Sequence, residues 1–293
     1  MKNFLLLCLL GISLSAFPST AADIPSGPPP LPKVLQIFRE EVKVGRNAAH
    51  VKVEKGYVAA MAKANWPTHY LALTSVTGPS EAWFLTGYAS FAAWEKDRDA
   101  SDANAALTAE LDGLGVKDGE VLSNATSLVA LWREDLSPEA SVDVAKARYL
   151  RVITYRVRPG HENDFAEAAK IVRAAYAKAN IASGWAVYQV FGGMPGPTFL
   201  VLVPMKSMDE IDAGIDRSGA LREAEGPENE KALARLSGEG YNAVESNLFV
   251  FSPPMSYPSK EFAARNPGFW TPKPPAKPAA ETKKEAKPAE KKK

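Results

Sequence analysis

The chain has 293 residues, 24% of them charged, and a formal net charge of +1 at pH 7. Eight Lys and three Glu lie in residues 273–293 and Lys2 lies in a leader-like segment, so the remainder carries a net charge of −5, which gives no electrostatic support to nucleic-acid binding. The only cysteine, Cys8, also lies in the leader-like segment, which excludes thiol catalysis and cysteine-ligated metal in the mature chain.

Residues 1–22 are predicted to be a secretory signal peptide. Lys2 precedes an apolar run at residues 4–14, which is too short to span a bilayer, and small residues follow at 19–22. Cys8 lies inside the run rather than at its end, so lipidation is not predicted. No other segment is apolar enough to cross a membrane. We therefore expect an exported protein, periplasmic or secreted, without a transmembrane segment in its mature form.

Residues 34–135 are predicted to form a first unit with the order β-α-β-β-α-β, preceded by an extended Pro-rich segment at 23–33. β-forming runs separated by turn residues predict the strands, and the Ala-rich charged stretches predict the helices. The strands are expected at 34–42, 70–77, 82–88 and 126–132, a helix at 46–64, and one broken helix at 90–112.

Residues 149–252 are predicted to repeat this order after a linker at 136–148. Strands are expected at 149–157, 185–191, 199–204 and 245–251, and helices at 161–179 and 207–238, the latter with a break at Gly226. Residues 253–271 are expected to lie over the units as an extended segment. The tail at 272–293 lacks apolar residues larger than Ala and Pro, so it is expected to be disordered.

The two units are related by an internal repeat with an offset of 115 residues. GRNAAHVKVEKGYVAAMAKAN at 45–65 aligns without a gap on GHENDFAEAAKIVRAAYAKAN at 160–180. Residues 34–85 and 149–200 share 13 identities in 52 positions, far more than chance would give. The element order agrees independently, which indicates a tandem repeat.

The arrangement of the two units resembles the dimeric α/β-barrel superfamily, which includes antibiotic-biosynthesis-monooxygenase-like and NIPSNAP-like families. The second unit carries the motifs, and the first departs from them more, with Val44 for the Pro and His50 for the Phe. The motif YRVRPGHENDF at 155–165 is similar to the first strand, Pro-Gly turn and helix entry of those families, and residues 199–210 are similar to their third strand and second helix entry. The resemblance implies an α+β fold in which two ferredoxin-like units form one pseudo-dimeric barrel. It covers about residues 34–252. The superfamily includes cofactor-free oxygenases, haem enzymes and members without known activity, so the fold does not settle function.

The first helix of each unit differs on the face expected to cover the sheet. His50 replaces Phe165, and Glu54 replaces Ala169. His50, Glu54 and Tyr57 follow the spacing i, i+4, i+7 and therefore share one face of the helix. A buried imidazole and carboxylate are unfavourable unless they are paired or hydrated, so this face predicts a polar pocket between the helix and the sheet.

The expected topology adds Glu81 and Trp83 to this pocket, because both lie at the end of the sheet nearest His50. His50 would act as a general base oriented by Glu54, and Tyr57, Trp83 and Glu81 would contact a ligand. His69 is expected at the opposite end of the helix, so no shared metal site with His50 is predicted. Neither a metal-ligand spacing nor a cofactor motif is specific enough to predict one.

A second interpretation leaves no pocket. If the helix is rotated so that Val51 and Val58 are buried, His50 and Glu54 form a solvated i, i+4 pair. Replacement of His50 by Phe separates the two interpretations, because a pocket would lose ligand or activity and a structural position would tolerate the change.

Two classes of function stay open on the sequence. One is binding of a small, partly apolar molecule, and the other is a cofactor-free monooxygenase-like or related enzyme with His50 as base. The duplication favours a monomer that is an internal pseudo-dimer. The Lys-rich tail is expected either to bind anionic cell-envelope polymers weakly or only to aid solubility.

Overall fold

The computed structural model describes residues 30–138, 143–182 and 184–271. The predicted signal peptide and basic tail lie outside these ranges. No helix within them is long and apolar enough to cross a membrane. The strands are β1 Val34–Val42, β2 Tyr70–Ser75, β3 Glu81–Tyr88, β4 Leu122–Trp132, β5 Tyr149–Val157, β6 Ala186–Gly192, β7 Thr198–Met205 and β8 Tyr241–Phe251. The helices are α1 Asn47–Lys63, α2 Phe91–Asp102, α3 Ala105–Gly119, α4 Glu162–Lys178, α5 Asp209–Asp216, α6 Ser218–Gly240, α7 Lys260–Ala264 and α8 Pro267–Trp270.

The eight strands close into one antiparallel barrel with the order β1-β3-β2-β8-β5-β7-β6-β4. Each half of the chain supplies four neighbouring strands, in which the first strand lies between the third and the fourth. The pairs β2–β8 and β4–β6 join the halves. Closure leaves no unpaired sheet edge. The predicted α+β class and barrel are confirmed.

The alternation of side chains along each strand separates an interior core from two outer interfaces. The barrel interior is filled by Ile37, Leu73, Val152, Leu200 and their neighbours. Outside, α1 covers Ala72, Ala82 and Phe84, and α4 covers Val187 and Phe199. The functional questions concern the α1 interface and one end of the barrel.

Residues shared between the halves include those that adopt a left-handed backbone. Asn65 and Asn180 end α1 and α4 with φ angles of 47° and 51°. Gly78 and Gly193 form the hairpin turns with φ angles of 82° and 89°. At Gly193 a β-carbon would collide with the Ser127 carbonyl oxygen, so glycine is required there.

The broken helix predicted at 90–112 is in fact two helices, and the second continues to Gly119. Glycines at 113, 115 and 119 weaken the local helical pattern. Packing against α1 overrides that propensity: a β-carbon at Gly56 of α1 would meet Leu114 Cδ2 of α3 at 2.6 Å. The extra length of α3 places Asp118 beside α1.

The segment 253–271, expected to be extended, contains α7 and α8 and lies across one end of the barrel. The Trp270 indole nitrogen donates to the Ala145 carbonyl oxygen at 2.7 Å, and Arg265 pairs with Asp143 at 2.8 Å. Trp270 and Phe262 pack against the interior core. The scattered Pro residues predict an extended segment, but burial of these aromatic side chains stabilises two short helices there.

Candidate functional site

The buried face of α1 is the one that carries His50 and Glu54. His50 is 2% exposed and Glu54 is 3% exposed, so the interpretation that places them in solvent is wrong. Tyr57, one turn further on, is half-buried. Burial first, and then the charges of Asp118 and Glu54, raise the pKa of the Tyr57 phenol. These three predicted site residues therefore lie together between α1, α3 and the sheet.

His50 is surrounded by three carboxyl groups from three elements. Its Nε2 atom lies 2.9 Å from Glu40 Oε2 on β1. The same nitrogen lies 3.8 Å from Glu54 Oε1 on α1 and 3.8 Å from Asp118 Oδ1 on α3. We call these four residues, Glu40, His50, Glu54 and Asp118, the polar cluster.

Two carboxyl groups of the polar cluster, those of Glu54 and Asp118, have raised pKa values. Burial, followed by repulsion from Glu40 and Asp118, raises the pKa of Glu54 to about 9. Burial and the charge of Glu40 raise the pKa of Asp118 to about 6, with a hydrogen bond to Glu40 acting in the same direction and His50 opposing it. Glu54 is therefore neutral at pH 7.

Glu81 and Trp83 lie on the opposite face of the sheet, so their predicted place in a pocket under α1 is wrong. In the β1–β3 register Glu40 pairs with Ala82, and Arg39 pairs with Trp83. Glu81 accepts hydrogen bonds from Trp83 Nε1 at 2.7 Å and from Arg39 Nη2 at 2.9 Å. Glu81 and Trp83 do lie at the predicted end of the sheet, but the odd-numbered residues of β3 point into the barrel rather than toward α1.

A cavity of about 570 Å³ opens at the other end of the barrel, where β2, β5 and β6 begin and β3, β7 and β8 end. None of the five predicted site residues lines it. Its walls are mainly apolar and include Leu35, Leu71, Leu85, Leu150, Leu202 and Phe251. Its polar wall residues include Thr68, His69, Tyr88 and Tyr188.

His69 lines this cavity and lies outside the polar cluster. Its ring contacts the Tyr257 ring, with centroids 4.8 Å apart, and hydrogen-bonds to the Tyr257 backbone. Burial lowers the pKa of His69, so its imidazole is neutral at pH 7. The sequence placed His69 at the far end of α1 from His50 but did not predict this cavity, because its walls are built by distant segments of the chain.

Glu40 and Asp118 were not identified from the sequence, although the repeat carries a signal for both. Glu40 aligns with Tyr155 at the same offset as His50 with Phe165. Asp118 precedes Gly-Glu and β4, as Ser237 precedes Gly-Glu and β8. In both places the first half carries an acidic residue where the second half does not.

No family model and no curated protein matches the chain. Among solved structures it is similar to a proposed monooxygenase from Fusobacterium nucleatum, with 11% identity, 75% of this chain and 93% of that chain covered, and a TM-score of 0.50. A proposed monooxygenase from Lactobacillus acidophilus matches at 8% identity over 74% and 93%, with a TM-score of 0.47. A mutant chlorite dismutase from Candidatus Nitrospira defluvii matches at 10% identity over 77% and 93%, with a TM-score of 0.46.

These likenesses concern the fold. Together with the closed barrel, the Fusobacterium structure places the chain in the ferredoxin-like, dimeric α/β-barrel fold. One such fold supports many unrelated activities, so function has to be argued from the cavity and the polar cluster.

Proposed function

We propose that the protein binds a small, largely apolar molecule in the cavity at the end of the barrel. The volume of about 570 Å³ carries the proposal, because ligand cavities span roughly 300–1,000 Å³ and have mainly apolar walls with a few polar groups. The ligand site proposed here is therefore at the opposite end of the sheet from the pocket predicted under α1.

Three hydroxyl groups of the cavity wall favour an apolar ligand because the protein already satisfies them. His69 Nδ1 differs from them, since it is buried without a hydrogen-bond partner among the described residues. Tyr188 donates its hydroxyl to the Pro32 carbonyl oxygen at 3.0 Å. Thr68 and Tyr88 both donate to the Asp97 carboxylate, at 2.5 and 3.0 Å. A ligand with many hydrogen-bonding groups would lose its water without gaining partners from these hydroxyls.

The enzyme hypothesis with His50 as general base has less support. A general base must come within hydrogen-bond reach of its substrate. His50 is 2% exposed, does not line the cavity, and is held at 2.9 Å by Glu40. Closure of the barrel within one chain supports a monomeric binding unit, in which the second half takes the place of a second chain.

Ligand binding is tested with N-phenyl-1-naphthylamine, an apolar fluorescent probe, and two neighbouring substitutions on α2. Ala93 lines the cavity and is exposed, so Ala93→Trp should fill the cavity without disturbing the core. Ala92 is also exposed but does not line the cavity, so Ala92→Trp is the matched control. We expect saturable fluorescence enhancement with the natural protein, at least about tenfold weaker binding with Ala93→Trp, and unchanged binding with Ala92→Trp. Absence of saturable binding, or equal affinities of the two variants, would overturn the proposal.

A further inference from the structure

We propose that the polar cluster is a binding site for one divalent transition-metal ion, with Glu40, His50, Glu54 and Asp118 as its ligands. The proposal concerns a different site from the cavity and does not depend on what the cavity binds.

The arrangement of ligand atoms fits a single ion. One ligand atom from each of the four residues can be chosen so that all lie within 4.8 Å of one another. Zinc binds imidazole and carboxylate atoms at about 2.0–2.2 Å, so its ligand atoms lie within about 4.4 Å of one another. Small side-chain movements are enough to bring the four atoms to bonding distance.

Two carboxylate oxygens supply independent support, because both are buried without a partner. Glu54 is 3% exposed and Asp118 is 5% exposed. Glu54 Oε1 and Asp118 Oδ1 have no hydrogen-bond partner among the residues that the structure describes. Both atoms point toward His50, each 3.8 Å from its Nε2 atom. A cation among them would satisfy two acceptors whose burial is otherwise unfavourable.

The ligand types define the class of ion. Imidazole suits zinc, iron and other later transition metals, and carboxylate oxygens also suit manganese. One imidazole with three carboxyl groups therefore favours Mn²⁺, Fe²⁺ or Zn²⁺ over Cu⁺, which prefers sulfur ligands. The Glu40 side chain is 16% exposed, more than those of Glu54 and Asp118. An ion would therefore enter the polar cluster from solvent on the side of Glu40.

The three supporting elements give the site a defined frame. β1 supplies Glu40, α1 supplies His50 and Glu54 one turn apart, and the last turn of α3 supplies Asp118. The close contact between α1 and α3 at Gly56 and Leu114 fixes the separation of the two helices. A metal bound here would link two helices and a strand, so it should also stabilise the folded chain.

The test is isothermal titration of the chelator-treated, untagged full-length protein with Zn²⁺ and, separately, Mn²⁺. We expect saturable binding of one ion per chain, and a rise in Tm when that ion is added. Glu54→Gln keeps the size of the side chain and removes a carboxyl group that can give up its proton to the ion and bind it as a carboxylate, so it should weaken binding at least about tenfold. Asp118→Asn makes the same change on a different helix and covers the case in which Glu54→Gln does not fold.

The control is His161→Ala. His161 Nδ1 also contacts a carboxylate, Asp164 Oδ2 at 2.6 Å, but this pair lies at the start of α4 outside the polar cluster. Its removal should leave the titration unchanged. Failure of both ions to bind saturably at millimolar concentration would overturn the proposal. So would undiminished binding in the folded Glu54 or Asp118 variant, or loss of binding in His161→Ala.

Discussion

The two halves of the barrel build the same helix-on-sheet interface with opposite chemistry. In the second half, the Phe165 ring of α4 stacks on Phe199 with centroids 4.0 Å apart and an interplanar angle of 18°. In the first half, His50 of α1 occupies the matching position, and its ring lies edge-on to that of Phe84 with centroids 6.4 Å apart. The interface around Phe165 is an apolar core, whereas that around His50 is the polar cluster.

None of the four residues of the polar cluster has a carboxyl group or an imidazole as its counterpart in the second half. Glu40, His50, Glu54 and Asp118 match Tyr155, Phe165, Ala169 and Ser237 by alignment. The Tyr155 and Phe165 ring centroids lie 5.2 Å apart, and these rings fill the place in the second half that corresponds to Glu40 and His50 in the first. The fold is thus complete without buried carboxyl groups. Such groups stabilise poorly when they lack partners, so their presence in one half supports the proposal that they bind an ion.

The largest effect is expected from placing the histidine of the first half into the second. Phe165→His removes a stacked ring that is 3% exposed and leaves an imidazole without a carboxylate partner. Loss of packing on this scale destabilises proteins by about 3–5 kcal/mol. Guanidinium chloride unfolding followed by circular dichroism measures the change in the free energy of unfolding.

Phe191→His is the matched control, since Phe191 is 68% exposed and the same substitution there should change stability by less than about 0.5 kcal/mol. If Phe165→His were tolerated equally well, the second interface would not be the tightly packed apolar core that its geometry indicates.

A smaller effect, dependent on pH, is expected from Glu54→Gln in chelator-treated protein. Folding raises the pKa of Glu54 from 4.5 to about 9, so the folded protein holds more protons than the unfolded chain between these values. The free energy of unfolding therefore falls as pH rises through that window. Gln stays neutral throughout. We expect the variant to match the natural protein near pH 4 and to be more stable by on the order of 3 kcal/mol at pH 8.

Urea unfolding at pH 4, 6 and 8 measures this difference. Asp118 contributes a similar fall between pH 3.8 and about 6, which both proteins share. A stability difference that does not grow with pH would contradict a neutral Glu54 in the folded state.

Much of the fold could be predicted from the sequence because its signals are local and repeated. The shared Asn and Gly residues lie at left-handed turns in both halves, and the runs of β-forming residues between turns predict the strands. The buried face of α1 was one of the two interpretations left open, and it rested on Phe165 and Ala169 at the matching positions of α4. The candidate site was only partly recognised. Asp118 lies in the last turn of α3, beyond the predicted end of the helix, because the glycines there argue against a helix.

The cavity and the orientation of β3 could not be read from the sequence for a different reason. Both faces of β3 are buried, so its residues from Glu81 to Phe84 show no polar alternation that identifies the side toward α1. The cavity walls combine segments as distant as Leu35, Leu150 and Phe262. Such walls depend on the pairing of the two halves, which periodicity within one half does not reveal.

The smallest effect is expected from Trp83→Phe, which tests whether the two faces of the first sheet act separately. The substitution removes the 2.7 Å hydrogen bond from the indole to Glu81 and the contact with Arg39, whose guanidinium carbon lies 4.7 Å from the ring centre. Glu81 keeps its bond from Arg39, so we expect a loss of about 1–2 kcal/mol in guanidinium chloride unfolding. Because Trp83 faces the barrel interior, Zn²⁺ affinity should stay within about twofold of the natural protein, unlike that of Glu54→Gln. A tenfold loss of affinity would show that the interior pair and the polar cluster form one site across the sheet.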